Sequence, residues 1–135
     1  MPTTSHSVPP AGEDSLSTIA DVVQGWTRSA WCGQVENGGM EFALPLVAAA
    51  ARHAHRAIDA LASGELSQSA AFSAAAMISY NRANGYHRDI DGFDDFVPLR
   101  YVIEALLIED LPTAREKATE FISSMQDYGR RIVEA

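Results

Sequence analysis

The densest cluster of side chains that could do chemistry is an acidic segment in the second half of the chain. Residues 89–95 read Asp-Ile-Asp-Gly-Phe-Asp-Asp, which places four carboxylates within seven positions, at Asp89, Asp91, Asp94 and Asp95. Carboxylate oxygens are the ligands that a hard cation such as Ca²⁺ prefers. The spacing nevertheless fails the helix–loop–helix calcium pattern, because the glycine is misplaced and no glutamate stands at the twelfth position. We predict that these carboxylates cap the following helix or contact a basic partner.

The histidines and the single cysteine lack metal-ligand spacing. His53 and His55 are two residues apart on a predicted helix, so they point about 200° apart, whereas a chelating pair needs a spacing of three or four. His87 lies beside the acidic segment, and together they form the alternative prediction of a metal site or an unrecognised active site. Cys32 is alone and can form no intramolecular disulfide.

No known catalytic motif is present in the sequence. There is no Gly-x-Ser-x-Gly elbow, no glycine-rich phosphate loop and no His-Glu-x-x-His. Glu36 and Glu41 flank a glycine turn and could form a carboxylate pair, but a helical bundle of this size usually solvates such groups. The sequence therefore predicts a non-enzymatic protein that needs no metal and no cofactor.

Composition indicates the class of protein and the partners it excludes. The chain has 135 residues, 47% of them hydrophobic, and this suits one globular domain. Its net charge of −8 argues against direct binding to nucleic acid or to an anionic membrane, since both need clustered Lys and Arg. No apolar run approaches the length of a membrane span, and the N-terminus lacks the pattern of a signal peptide. We predict a cytoplasmic protein with a flexible tail at 1–13 and one helical domain at 14–135.

Hydrophobic spacing predicts an all-α fold, a compact bundle of about five helices. The helices are expected near 14–36, 45–62, 67–83, 96–110 and 113–132. The first helix is expected to end at a turn formed by Asn37, Gly38 and Gly39, and a short turn at 40–44 is expected before the second helix. Gly64 is expected to end the second helix as its C′ residue, and Asn84-Gly85 to end the third. Residues 86–95 are expected to form a loop, and Thr113 with Glu116 fits a capping box. In the third helix, the residues expected to face inward are Ala70, Ala71, Ala74, Met77 and Ile78.

Residues 34–42, Gln-Val-Glu-Asn-Gly-Gly-Met-Glu-Phe, resemble the signature of the NGG-motif family of small helical bacterial proteins, which includes a DNA-mimic protein from Neisseria. In that family a helix ending in Glu-Val-x-Asn-Gly-Gly-Phe leads into an Ala-rich helix, and the likeness here covers about Trp26 to Ile78. This chain departs from the pattern at Met40, Ala43 and Pro45. The resemblance implies a protein that presents carboxylates where DNA presents phosphates.

Three hypotheses about function follow. The first is a non-catalytic acidic protein that binds and blocks a basic partner, as a DNA mimic or as an inhibitor or immunity protein of a nucleic-acid-binding protein or toxin. The second is a structural or regulatory helical module, possibly a homodimer, whose charge serves solubility. The third is the metal protein or enzyme built on His87 and the acidic segment. The first hypothesis is preferred, with Asp89, Asp91, Asp94 and Asp95 as its partner-binding residues.

Overall fold

The computed structural model describes residues 13–28, 39–87 and 93–134. Every residue in these ranges is helical except two three-residue turns, at 63–65 and 108–110. The α-helices are α1 (Glu13–Gly25), α2 (Gly39–Ala62), α3 (Leu66–His87), α4 (Val97–Leu107) and α5 (Leu111–Glu134), and 3₁₀ turns occupy Trp26–Arg28 and Phe93–Phe96. The predicted all-α bundle of five helices is therefore confirmed for the described part of the chain. None of these helices is long and apolar enough to cross a membrane.

Helix α2 is the centre of the bundle and packs against α1, α3, α4 and α5. Its alanines let neighbouring helices approach closely, and its larger side chains fill the space between them. Leu44, Val47 and Ile58 are completely buried, and burial of each contributes about 1.5–3 kcal/mol. The helical spacing of apolar residues predicts seven inward positions in this helix, and all are buried except Leu61, which is half-buried: Val47, Ala50, Ala51, Ala54, Ala57, Ile58 and Leu61.

Two antiparallel hairpins build the bundle, α2 with α3 and α4 with α5. In the first hairpin the Ser69 hydroxyl donates a 3.1 Å hydrogen bond to the carbonyl of Ala57. In the second, the ammonium of Lys117 lies 5.8 Å from the centre of the Tyr101 ring. Short turns connect the helices of each pair, which makes the partners neighbours in space as well as in sequence.

Both turns use the same left-handed cap. The amide of Gly64 donates to the carbonyl of Leu61 at 3.1 Å and that of Glu65 donates to Ala60 at 2.8 Å, the two bonds of a Schellman motif. Gly64 has a φ of +78°, so the prediction that it ends α2 is confirmed. After α4 the left-handed position is taken by Glu109, with a φ of 62°.

The start of α5 differs from the predicted capping box at Thr113 and Glu116. The helix begins at Leu111, and Oδ1 of Asp110 accepts a 3.2 Å hydrogen bond from the amide of Thr113. Asp110 is therefore the N-cap, and the prediction was wrong by three residues. An aspartate cap suits this position because a carboxylate also interacts favourably with the positive end of the helix dipole.

Several other predicted boundaries are wrong. Helix α2 starts at Gly39, so the predicted turn at 40–44 is helical and Pro45 lies inside the helix, where the ring leaves one carbonyl without its usual donor. Helix α3 continues past Asn84-Gly85 to His87. Residues 26–28 form a 3₁₀ turn where α-helix was expected. The 3₁₀ turn at 93–96 covers three residues expected in a loop, 93–95, and the first residue expected in the fourth helix, Phe96.

The inward face predicted for α3 is also wrong. Ala70, Ala71, Ala74 and Ile78 are exposed, and Met77 is only half-buried. The residues that face the core are Ser69, Ser73, Ala76, Tyr80 and Ala83. Alanine lies on both sides of this helix, so hydrophobicity did not distinguish them. The two serines are tolerated inside because their hydroxyls donate to backbone carbonyls, of Ala57 at 3.1 Å and of Ser69 at 2.7 Å.

Candidate functional site

Aromatic side chains gather where α1, α4 and α5 meet. The Tyr128 ring lies 5.4 Å from the Trp26 ring and 5.4 Å from the Phe96 ring, both in tilted arrangements. All three residues are buried. Because Phe96 ends the 3₁₀ turn that contains Asp94 and Asp95, this cluster fixes the C-terminal end of the acidic segment against the core.

A second pair of rings lies on the surface. Phe42, in the first turn of α2, stacks on Tyr86, in the last turn of α3, with 5.5 Å between ring centres and an interplanar angle of 30°. Phe42 is 55% exposed and Tyr86 is 51% exposed. We call these two residues the aromatic pair. Large exposed aromatic rings are enriched in binding interfaces, because they bury much area at small cost in side-chain entropy.

The acidic segment is only partly described. Asp95 is half-buried in the 3₁₀ turn, and Asp94 belongs to the same turn by its backbone. Asp89 and Asp91 lie outside the described residues, so their predicted contact with a partner stays a prediction. In the sequence, Tyr86 precedes Asp89 by three residues.

The predicted glycine turn is also largely outside the described residues. Asn37 and Gly38 precede the described range, and Gly39 is the first residue of α2. Cys32 and Glu36 are likewise outside it.

The histidines do not assemble a metal site in the part of the chain that the structure describes, where no group of three or more His, Cys, Asp or Glu side chains is placed to hold an ion. Nε2 of His55 lies 3.8 Å from Oδ2 of Asp59 on the same helix. Burial, and to a smaller extent the positive charge of Arg56, lowers the pKa of His53. Nδ1 of His53 is buried and has no hydrogen-bond partner among the described residues.

Some of the charge on the helical surfaces is paired locally. Asp21 accepts from Arg52 at 2.7 Å across the α1–α2 contact, and three further carboxylates pair with cations on their own helices. These pairs are Arg100 with Glu104, Lys117 with Glu120, and Arg130 with Asp127, at 3.0–3.1 Å. Exposed pairs of this kind add little stability. They do reduce the number of free carboxylates that the helices could present to a partner.

An apolar groove runs between α1 and α5 and has a volume of about 490 Å³. Its apolar lining comes from Ile19, Val22, Trp26 and Met125. Val22 is 46% exposed there. The polar lining of the groove comes from Thr18, Gln126 and Arg130, of which Arg130 alone is charged.

Comparison with protein-family models, with curated proteins and with solved structures finds no match to this chain. The resemblance to the NGG-motif family therefore stays a prediction from residues 34–42. What the structure establishes is the class, an all-α helical bundle, and an exposed aromatic pair on its surface.

Proposed function

We propose that this chain is a non-catalytic interaction protein that binds and blocks a basic protein partner. The observation that carries the proposal is the aromatic pair, two stacked and half-exposed rings at the point where the chain enters the acidic segment. Arginine is the side chain that this combination recognises best, because its planar guanidinium stacks on an aromatic face while it pairs with a carboxylate.

The same chemistry already occurs within the bundle. The guanidinium carbon of Arg56 lies 6.0 Å from the centre of the Phe72 ring, and Lys117 lies over Tyr101. These contacts use cations of the chain itself. The exposed Phe42 and Tyr86 rings are available for a partner's cation in the same way.

The distribution of charge favours a local contact over mimicry of a DNA duplex by the whole surface. Four exposed carboxylates on the helices are paired with Arg or Lys of the chain itself. A duplex mimic needs an array of unpaired charges at phosphate spacing. We therefore assign partner recognition to the aromatic pair together with Asp89, Asp91, Asp94 and Asp95, and propose a nucleic-acid-binding protein or a toxin as the class of partner.

Capture of the partner from an extract of the source cell tests this proposal. The tagged chain should recover a basic protein, and the double variant Phe42→Ala/Tyr86→Ala should bind it about 30-fold or more weakly, the loss expected for aromatic residues that dominate an interface. The matched control is Tyr101→Ala, which removes a ring that is 46% exposed on α4. Recovery of no basic protein, or equal loss of binding in the control, would contradict the proposal.

A further inference from the structure

We propose that the outer face of α3 binds the same face of a second copy of this chain, in an antiparallel two-fold dimer. This face is defined by Ser67, Ala71, Ala74, Ile78, Asn81 and Gly85, all of them exposed. The proposal does not rest on the proposed function, because it uses none of the residues assigned to the basic partner.

The spacing of the face is that of a helix–helix seam. Its six positions are separated by four, three, four, three and four residues, the 3.5-residue repeat by which two helices pack along their length. They extend over about 27 Å of helix. Ile78 is 56% exposed in the middle of this face, in contact with solvent instead of the core. Ala71 and Ala74 on one side of it, and Gly85 at the far end, would let a second helix approach closely.

Charge identifies a second copy as the occupant. Each copy carries a net charge of −8, so two copies repel unless they meet where neither is charged. The sixteen residues from Leu66 to Asn81 contain no Asp, Glu, Lys or Arg. By contrast, the exposed faces of α2, α4 and α5 all carry charged side chains, among them Asp59, Glu104 and Glu116.

The charge beside the face favours one direction of packing. Exposed Arg82 immediately follows the uncharged run and flanks the face between Asn81 and Gly85. A parallel pair would place the two Arg82 guanidinium groups at the same level along the axis. An antiparallel pair centred between Ala74 and Ile78 separates the two Arg82 positions by about 18 Å along the axis and also aligns the helix dipoles favourably.

The sizes of the side chains on this face also favour antiparallel packing. In an antiparallel pair centred between Ala74 and Ile78, each Ile78 lies opposite Ala74 of the second copy. Asn81 then lies opposite Ala71, and Ser67 opposite Gly85. Each larger side chain meets a smaller one, which is how facing layers fill space without voids. A parallel pair would oppose Ile78 with Ile78 and leave the alanines separated.

Contact along one helix face is small for a protein interface, so we expect a Kd in the range of about 1 to about 100 µM. Sedimentation equilibrium should then show a concentration-dependent rise from 14.6 kDa toward twice that mass. Ala74→Glu places like charges in the centre of the seam and should weaken the dimer by about 100-fold. The matched control Ala62→Glu makes the same exchange at an exposed position of α2 and should leave the dimer intact.

Spin labels at Gln68 read out the direction of packing. In a Cys32→Ser background, Gln68→Cys carries a label on each copy, and the antiparallel dimer separates the two labels by about 24 Å along the axis. Circular dichroism should show unchanged helix content in the Ala62, Gln68 and Ala74 variants, since these three sites are exposed. A monomer at all concentrations, an unaffected Ala74→Glu dimer, or labels side by side would each overturn the proposal.

Discussion

Replacing Glu109 with glycine is expected to stabilise the bundle. Glu109 occupies the left-handed position after α4 with a φ of 62°, where its Cβ crowds the following carbonyl oxygen. The backbone bonds of the cap run from the amide of Glu109 to the carbonyl of Leu106 at 3.0 Å and from that of Asp110 to Ala105 at 2.8 Å. Glycine can make both bonds without the steric cost, as Gly64 does after α2.

The size of the effect follows from two opposing quantities. A residue with a Cβ in the left-handed conformation destabilises the fold by about 1–2 kcal/mol. Glycine removes this steric cost, but it loses more backbone entropy on folding, which offsets part of the stabilisation. The expected net stabilisation is about 0.5–1 kcal/mol, which for a domain of this size raises Tm by about 2–4 °C.

Urea unfolding followed by circular dichroism measures this difference. Glu109→Ala is the control for charge, since it removes the carboxylate and keeps the Cβ, and it should give less stabilisation than glycine. Glu116→Gly makes the same exchange on the exposed side of α5 and should cost about 1 kcal/mol. If Glu109→Gly were no more stable than Glu109→Ala, backbone strain at this turn would be refuted.

Two further predictions concern the core. Gly129→Ala should lower Tm, because the added Cβ would lie 2.9 Å from Cζ2 of the buried Trp26 ring. Gly85→Ala should raise Tm, because its added Cβ meets nothing within 4 Å and alanine is the better helix former. An equal rise of Tm in both variants would contradict the close packing of Gly129 against Trp26. Burial lowers the pKa of His53 below 6.5, so the unfolded chain takes up a proton at higher pH than the folded chain, and stability is lost as pH falls below about 6.5. In His53→Gln, Tm should therefore decrease less as the pH is lowered than it does in the comparison variant His55→Gln. An equal dependence of Tm on pH in the two variants would contradict this assignment to His53.

Some features of the fold were predictable because local chemistry determines them. Gly64 was predicted to end α2 since a left-handed cap favours glycine, and the structure has it there with a φ of +78°. The inward positions of α1, Leu16, Ile19, Ala20 and Val23, were predictable because apolar residues recur there at helical spacing, while Asp21 and Gln24 mark the outer face.

Other features depended on tertiary contacts that local patterns do not encode. Asn84-Gly85 resembles a helix end, yet α3 continues through it to His87. The inward face of α3 could not be read from hydrophobicity, because buried Ser69 and Ser73 are satisfied by backbone carbonyls while Ile78 is exposed. The aromatic pair was missed for a related reason. Phe42 and Tyr86 are distant in sequence, and only the antiparallel α2–α3 hairpin brings their rings together.

The most direct test of the central claim is the salt dependence of binding to the captured basic partner. We expect the Kd of the wild-type chain to rise by at least tenfold as NaCl is raised from about 50 mM to about 500 mM, because screening weakens attraction between opposite charges. The variant in which Asp89, Asp91, Asp94 and Asp95 are all replaced by asparagine should bind more weakly and show a flatter dependence. Binding that is indifferent to salt, or a variant with the wild-type slope, would contradict recognition of a basic partner by the acidic segment.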